Sequence, residues 1–171
     1  MKLKIASLLV FITISLPSQI MAQENASNLL EKAIAQAKAE NKKVFIKYGA
    51  SWCGWCKKMD KQMKTKKTKI LFEDNYVIVN LVVKESRGKT HLENPEGMDY
   101  LIQHQGEKSG LPFWVILDDT GKMIQNSFNP KGQNLGCPAT KKEVKDFIVI
   151  LKNTSNLSDK DLAVISDVFL K

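Results

Sequence analysis

VFIKYGASWCGWCKKM, residues 44–59, joins two periodicities through one short turn. Its front half is rich in β-formers and predicts a strand over about Lys43–Gly49. Its back half, continued to Lys64, places Trp55, Cys56, Met59 and Met63 at helical intervals with lysines between them. Cys53 therefore stands at a strand-to-helix junction and Cys56 one helical turn further in. Unpaired backbone N–H groups and the helix macrodipole favour negative charge at that end, so Cys53 is expected to ionise more readily than a free thiol. Exchange chemistry needs an exposed first thiol and a sheltered second one, and Cys56 is close enough to displace a mixed disulfide on Cys53. A purely structural bridge over so short a loop would constrain little of the unfolded chain. A metal would need two further ligands, whereas His91 and His104 lie in polar segments without ligand spacing and read as surface residues.

On either side of this unit the pattern alternates between helix and strand. LLEKAIAQAKAEN, residues 29–41, predicts an amphipathic helix with Asn28 as its cap. NYVIVNLVV, residues 75–83, predicts a strand, and its apolar residues on both parities suggest burial on both faces. KESRGKTHLENPEG, residues 84–97, reads as a polar surface excursion before a short helix near Met98–Gln103. Next come two strands, Phe113–Leu117 and Lys122–Phe128, joined by an Asp-Thr-Gly turn as a hairpin. Thr140 and Glu143 form a capping box for a helix with Val144, Phe147, Ile148 and Leu151 on one face. Ser158 opens a last helix, with Leu157 and Leu162 as a hydrophobic staple. This order predicts one α/β domain with a central mixed sheet and helices on both faces.

VFIKYGASWCGWCKKM together with GLPFWVILDDTGKMI, residues 110–124, resembles the thioredoxin superfamily, in particular its exported bacterial thioredoxin-like members. The specific parts are Trp52-Cys53-Gly54-Trp55-Cys56 and Gly110-Leu111-Pro112. The resemblance covers about residues 28–152 and implies a thioredoxin-like fold with an extra C-terminal helix in a 153–171 extension. It also implies a cis bond at Pro112 facing the cysteines, with the Leu111 backbone pairing with a bound client. Trp52, Gly54, Trp55, Leu111 and Pro112 would form the substrate surface, Cys53 being the nucleophile and Cys56 the resolving thiol. Two positions depart from the pattern. Lys47 occupies the strand position where thioredoxins place a buried acid; it would either stabilise a thiolate as a cation or, buried and neutral, accept the Cys56 proton. Gly54-Trp55 replaces Gly-Pro between the cysteines, and that pair tunes redox potential across the superfamily.

Residues 1–22 read as a secretory signal peptide. Lys2 and Lys4 precede an apolar core ending at Pro17, too short to span a bilayer, and Ala22 offers a cleavage point. The remaining 23–171 form a single domain, periplasmic or secreted, with no membrane span. Without Lys2 and Lys4 the basic residues fall from 26 to 24 against 18 acidic, a net +6, concentrated between Lys57 and Lys69. The run lacks interleaved aromatics and reads as a solvated helix face with no nucleic-acid partner. Three cysteines, an odd number in an exported chain, leave Cys137 over. It is expected as a buried inert thiol or, on the loop bordering the substrate groove, as a modulator. The function expected is a thiol–disulfide oxidoreductase acting on protein disulfides or thiols. It would need no dissociable cofactor and no metal, only a redox partner to reset the pair. The alternative is a non-catalytic thioredoxin-fold module that binds unfolded clients or assembly factors.

Overall fold

The computed structural model describes residues 23–171, so the predicted signal peptide lies outside the described residues. The elements run α1 (Ala26–Glu40), β1 (Lys43–Gly49), α2 (Gly54–Met63), α3 (Lys69–Glu73), β2 (Tyr76–Val82), α4 (Gly97–Gln103), β3 (Phe113–Leu117), β4 (Met123–Asn126), α5 (Lys141–Thr154) and α6 (Asp159–Phe169). The sheet order is β2-β1-β3-β4, with β1 parallel to β2 and antiparallel to β3, and β3 antiparallel to β4. This is the mixed sheet expected.

Strand parity divides the core into two layers. Val44, Ile46 and Tyr48 of β1 pack with Leu30, Ala33 and Ala37 of α1 and Leu101 of α4. Phe45 points the other way, toward Met59 and Met63 of α2 and the α5–α6 pair. Lys47 shares the parity of Phe45 and so faces α2. β1 and β3 are the strands buried on both faces. The same expectation for β2 does not hold: it lies at the sheet edge, with Asn80 exposed and Val77 and Ile78 only half-buried.

Local chemistry accounts for most boundaries. The β3–β4 turn is held by Asp118 Oδ1, which accepts from Thr120 N (2.9 Å), Thr120 Oγ1 (2.6 Å) and Lys122 N (3.0 Å). Gly121 supplies the positive φ of 85° that closes this turn. Both α5 and α6 begin with a capping box, Thr140 with Glu143 and Ser158 with Asp161. α1 begins earlier than expected, at Ala26. Asn28 lies inside it, and Asn25 holds the cap position without a side-chain bond. α6 completes the core, since Leu162, Ile165 and Phe169 are buried and the Phe169 ring lies 5.1 Å from Phe147. Each such side chain contributes about 1.5–3 kcal/mol of burial, enough to hold α6 on α5.

Candidate active site around Cys53 and Cys56

β1 ends at Gly49, and Ala50 O accepts from Cys53 N at 3.0 Å, turning the chain directly into α2. Cys53 is the N-cap of α2, and its Sγ accepts from Cys56 N at 3.0 Å. The two cysteines form a disulfide with Cα atoms 5.3 Å apart. Gly49 lies against the bridge, with space for a Cβ in ordinary contact 3.4 Å from Cys56 Sγ. The expected contrast between an exposed first and a sheltered second cysteine is absent: Cys53 is 3% and Cys56 6% exposed. The reason is packing, for Ala50 and Leu111 cover the bridge. Trp52 and Trp55 instead carry the exposed apolar surface, at 57% and 54%. The Trp52 indole N–H donates to the Lys84 carbonyl, at 2.9 Å.

The Leu111–Pro112 bond is cis. Asn134 Nδ2 donates to Gly110 O (2.9 Å) and Pro112 O (3.2 Å), fixing the carbonyls on both sides of Leu111. The N–H and C=O of Leu111 itself have no hydrogen-bond partner among the described residues.

Lys47 is buried and ion-paired with Asp60, one turn beyond Cys56 on α2. Burial pushes the Lys47 ammonium down to about 8, with the Lys64 charge adding to the fall and Cys137 opposing it. A cavity of about 280 Å³ brings Cys56, Lys47, Asp60 and Glu85 onto one lining. Asp60 is a site residue that sequence reasoning missed. Its i+4 spacing from Cys56, on one helical face, was the available signal.

Lys84 and Glu85, read from sequence as surface excursion, tie the two site loops together. The buried Glu85 carboxylate accepts from Ser51 N and from Ser51 Oγ, the latter at 2.8 Å. These bonds hold its carboxyl below the usual range. Lys84, at a left-handed φ of 55°, donates through Nζ to Glu107 O (2.8 Å) and Ser109 O (3.0 Å), just before Gly110.

Cys137 is buried, donating to Gln62 Oε1 at 3.3 Å, and burial pushes its thiol up to about 11. Its neighbour Gly136 borders Pro112, with room for a Cβ only 3.5 Å from Pro112 O. His91 is exposed as expected, but His104 is buried, with Nδ1 2.7 Å from Tyr48 Oη. Its sequence neighbours are polar, while the tyrosine that draws it inward lies on β1.

A thioredoxin-like family model matches residues 25–119, more than half of the chain. The chain belongs to the thioredoxin-like family. Among solved structures, this thioredoxin-like chain is similar to a disulphide isomerase from Xylella fastidiosa Temecula1. The two are 24% identical, with 91% of this chain and 95% of that one covered and a TM-score of 0.51. It is also similar to an oxidoreductase named DsbH, at 20% identity, 80% and 85% coverage and a TM-score of 0.49. A thioredoxin from Thermus thermophilus gives 18% identity, 62% and 75% coverage and a TM-score of 0.44. No curated protein matches the chain. Among the described residues, no helix of this thioredoxin-like protein is long and apolar enough to cross a membrane.

Proposed function

We propose that this protein is an exported thiol–disulfide oxidoreductase that acts on protein disulfides through Cys53 and Cys56. The observation that carries the reading is the Cys53–Cys56 disulfide at the start of α2, packed against Leu111, whose backbone groups are free beside a cis proline. A client in extended conformation would pair with those groups, as strand addition requires.

In the reducing direction, the Cys53 thiolate attacks one sulfur of a client disulfide. That bond breaks, and one client sulfur leaves as a thiolate. The Cys56 N–H, already aimed at Cys53 Sγ, stabilises the anion before attack together with the helix end. Cys56 then loses its proton and attacks Cys53 Sγ, releasing the second client thiolate and closing Cys53–Cys56. Two electrons pass to the client, and a dithiol partner restores the pair. Lys47 and Asp60 line the same cavity as Cys56 and are the groups available for its proton. A group poised near 8 exchanges protons close to neutral pH.

Trp52 and Trp55 also favour a second reading, a non-catalytic module whose exposed indoles hold unfolded clients. Insulin reduction with dithiothreitol separates the two. The oxidoreductase accelerates it and Cys53→Ser abolishes the acceleration, whereas a rate at background for the wild type would sink the catalytic reading.

A further inference from the structure

The lysine run after the cysteine pair is largely exposed, as expected, and part of it lines a cleft. Gln62, buried on α2, donates through Nε2 to Val168 O (3.2 Å) and Phe169 O (3.3 Å) at the C-terminal end of α6. This tie holds the end of α6 against α2 beside a cleft of about 640 Å³. Lys58, Lys61, Lys66, Lys67 and Lys171 line it, with Val168 among the remaining lining residues. No Asp or Glu side chain lines the cleft, and none of the five lysines is in a side-chain ion pair among the described residues. The C-terminal ends of α2 and α6 favour one or two cations there. Five ammoniums around one cleft still repel one another and concentrate a positive field.

Lys58 links the cleft to the surface beside the disulfide. Lys58 Nζ lies 5.2 Å from the centroid of the exposed Trp55 ring, two residues after Cys53. From Cys53 to Lys61 the helix rises about 12 Å, a distance that three or four residues of extended client span.

We propose that this cleft selects acidic clients, polypeptides with Asp or Glu three to six residues from the disulfide-bonded cysteine. Their carboxylates rest on Lys61, Lys66 and Lys67 while the client sulfur reaches Cys53. The inference rests on the dithiol reading above and adds the substrate class. The cleft acts on encounter and KM; the electron transfer itself stays with the two cysteines.

The test uses two matched disulfide-linked fluorogenic peptides, one with three Glu at those positions and one with three Gln. The kcat/KM ratio, acidic over neutral, should be about tenfold at ~0.05 M ionic strength and fall toward one at ~0.5 M. Combining Lys61→Glu, Lys66→Glu and Lys67→Glu should bring the ratio to one or below. The corresponding triple Gln variant, which introduces no new charge, should lower it partway. A wild-type ratio near one, or a ratio that survives both triple variants, overturns the proposal. Fluorescence anisotropy of a cysteine-free Glu peptide with the oxidised protein reads the cleft without turnover. Binding weakened by the triple variants supports it; binding to anionic phospholipid vesicles but not to the peptide refutes it. If the Glu peptide binds while neither disulfide peptide is reduced, the oxidoreductase reading fails and the basic cleft for acidic polypeptides stands.

Discussion

Replacing Lys47 by Met tests the electrostatics behind the disulfide. The Lys47 side chain is 5% exposed, whereas that of Asp60 is 38% exposed, so water solvates the carboxylate more than the ammonium. Burial lowers Lys47 from 10.5 to about 8. Below about 8 both the folded and unfolded chains hold the proton, and the cost of the buried charge is constant. Between there and 10.5 the unfolded chain holds a proton that the folded chain has released, so stability rises with pH. At ~1.36 kcal/mol per pH unit, this interval corresponds to about 3 kcal/mol. Met is apolar and of similar length, so Lys47→Met should remove that rise and be at least as stable as wild type near pH 7. Asp60→Asn should act in the opposite way, destabilising by about 1–3 kcal/mol and starting the rise at lower pH, because it leaves the ammonium without its partner. Urea unfolding of the oxidised proteins at pH 7, 8, 9 and 10 measures the difference, in which contributions shared with wild type, such as those of Tyr48 and Tyr76, cancel. Parallel stability curves for wild type and Lys47→Met would refute the reasoning.

Brief iodoacetamide treatment of the reduced protein should label Cys53 before Cys56, and Cys56→Ser should accumulate dithiothreitol-sensitive mixed disulfides; preferential labelling of Cys56 would reverse the roles. Cys137, pushed up to about 11, should resist thiol reagents in the native protein. Cys137→Ala should cost about 1–2 kcal/mol in denaturant unfolding and leave insulin reduction intact, whereas rapid labelling with altered turnover would place this thiol at the groove. Glu85→Ala, which frees Ser51 N–H and hydroxyl, should lower kcat/KM for insulin by roughly tenfold, and Glu85→Gln, which keeps an acceptor, by less. Equal rates in all three proteins would dismiss the Lys84–Glu85 tie as irrelevant to turnover. Against glutathione, Lys47→Met should be more reducing than wild type by on the order of 10–30 mV, and an unchanged potential would count against a cationic Lys47 acting on the pair.

What could be read in advance was local. The strand-turn-helix around Cys53, the Asp118 turn and the Thr140 and Ser158 caps each rest on residues within a few positions of one another. The misreadings share a different origin. β2 carries apolar residues on both parities, and only the sheet order shows that it is an edge. His104 sits among polar neighbours, while Tyr48, its buried partner, is 56 residues away. The five-residue helix α3 is too short for periodicity to register. Cys53 occupies the expected helix end, but its burial comes from Leu111, which arrives with the cis-proline loop. Lys84 and Glu85 looked like solvent-facing charge because their partners, backbone groups and the Ser51 hydroxyl, lie on two distant loops.

Lys47 and Asp60 show how a departure from the family pattern can preserve a chemical capacity while changing its electrostatics. In thioredoxins the strand position holds a buried acid; here the strand supplies the base, and α2, one turn past Cys56, supplies the acid. Desolvation acts on whichever group lies deeper. A buried acid is pushed up toward neutrality, and the buried Lys47 is pushed down to about 8, so on the proposed mechanism each arrangement would leave a group beside Cys56 able to take its proton. The charge left behind differs in sign. A buried acid alternates between neutral and negative, whereas Lys47 alternates between positive and neutral. Asp60, being more exposed, is screened by water, so the field inside is dominated by the ammonium. That field favours a thiolate over a disulfide. The inversion of the pair should therefore bias this protein toward accepting electrons from client thiols, and the potential of Lys47→Met is the measurement on which that bias depends.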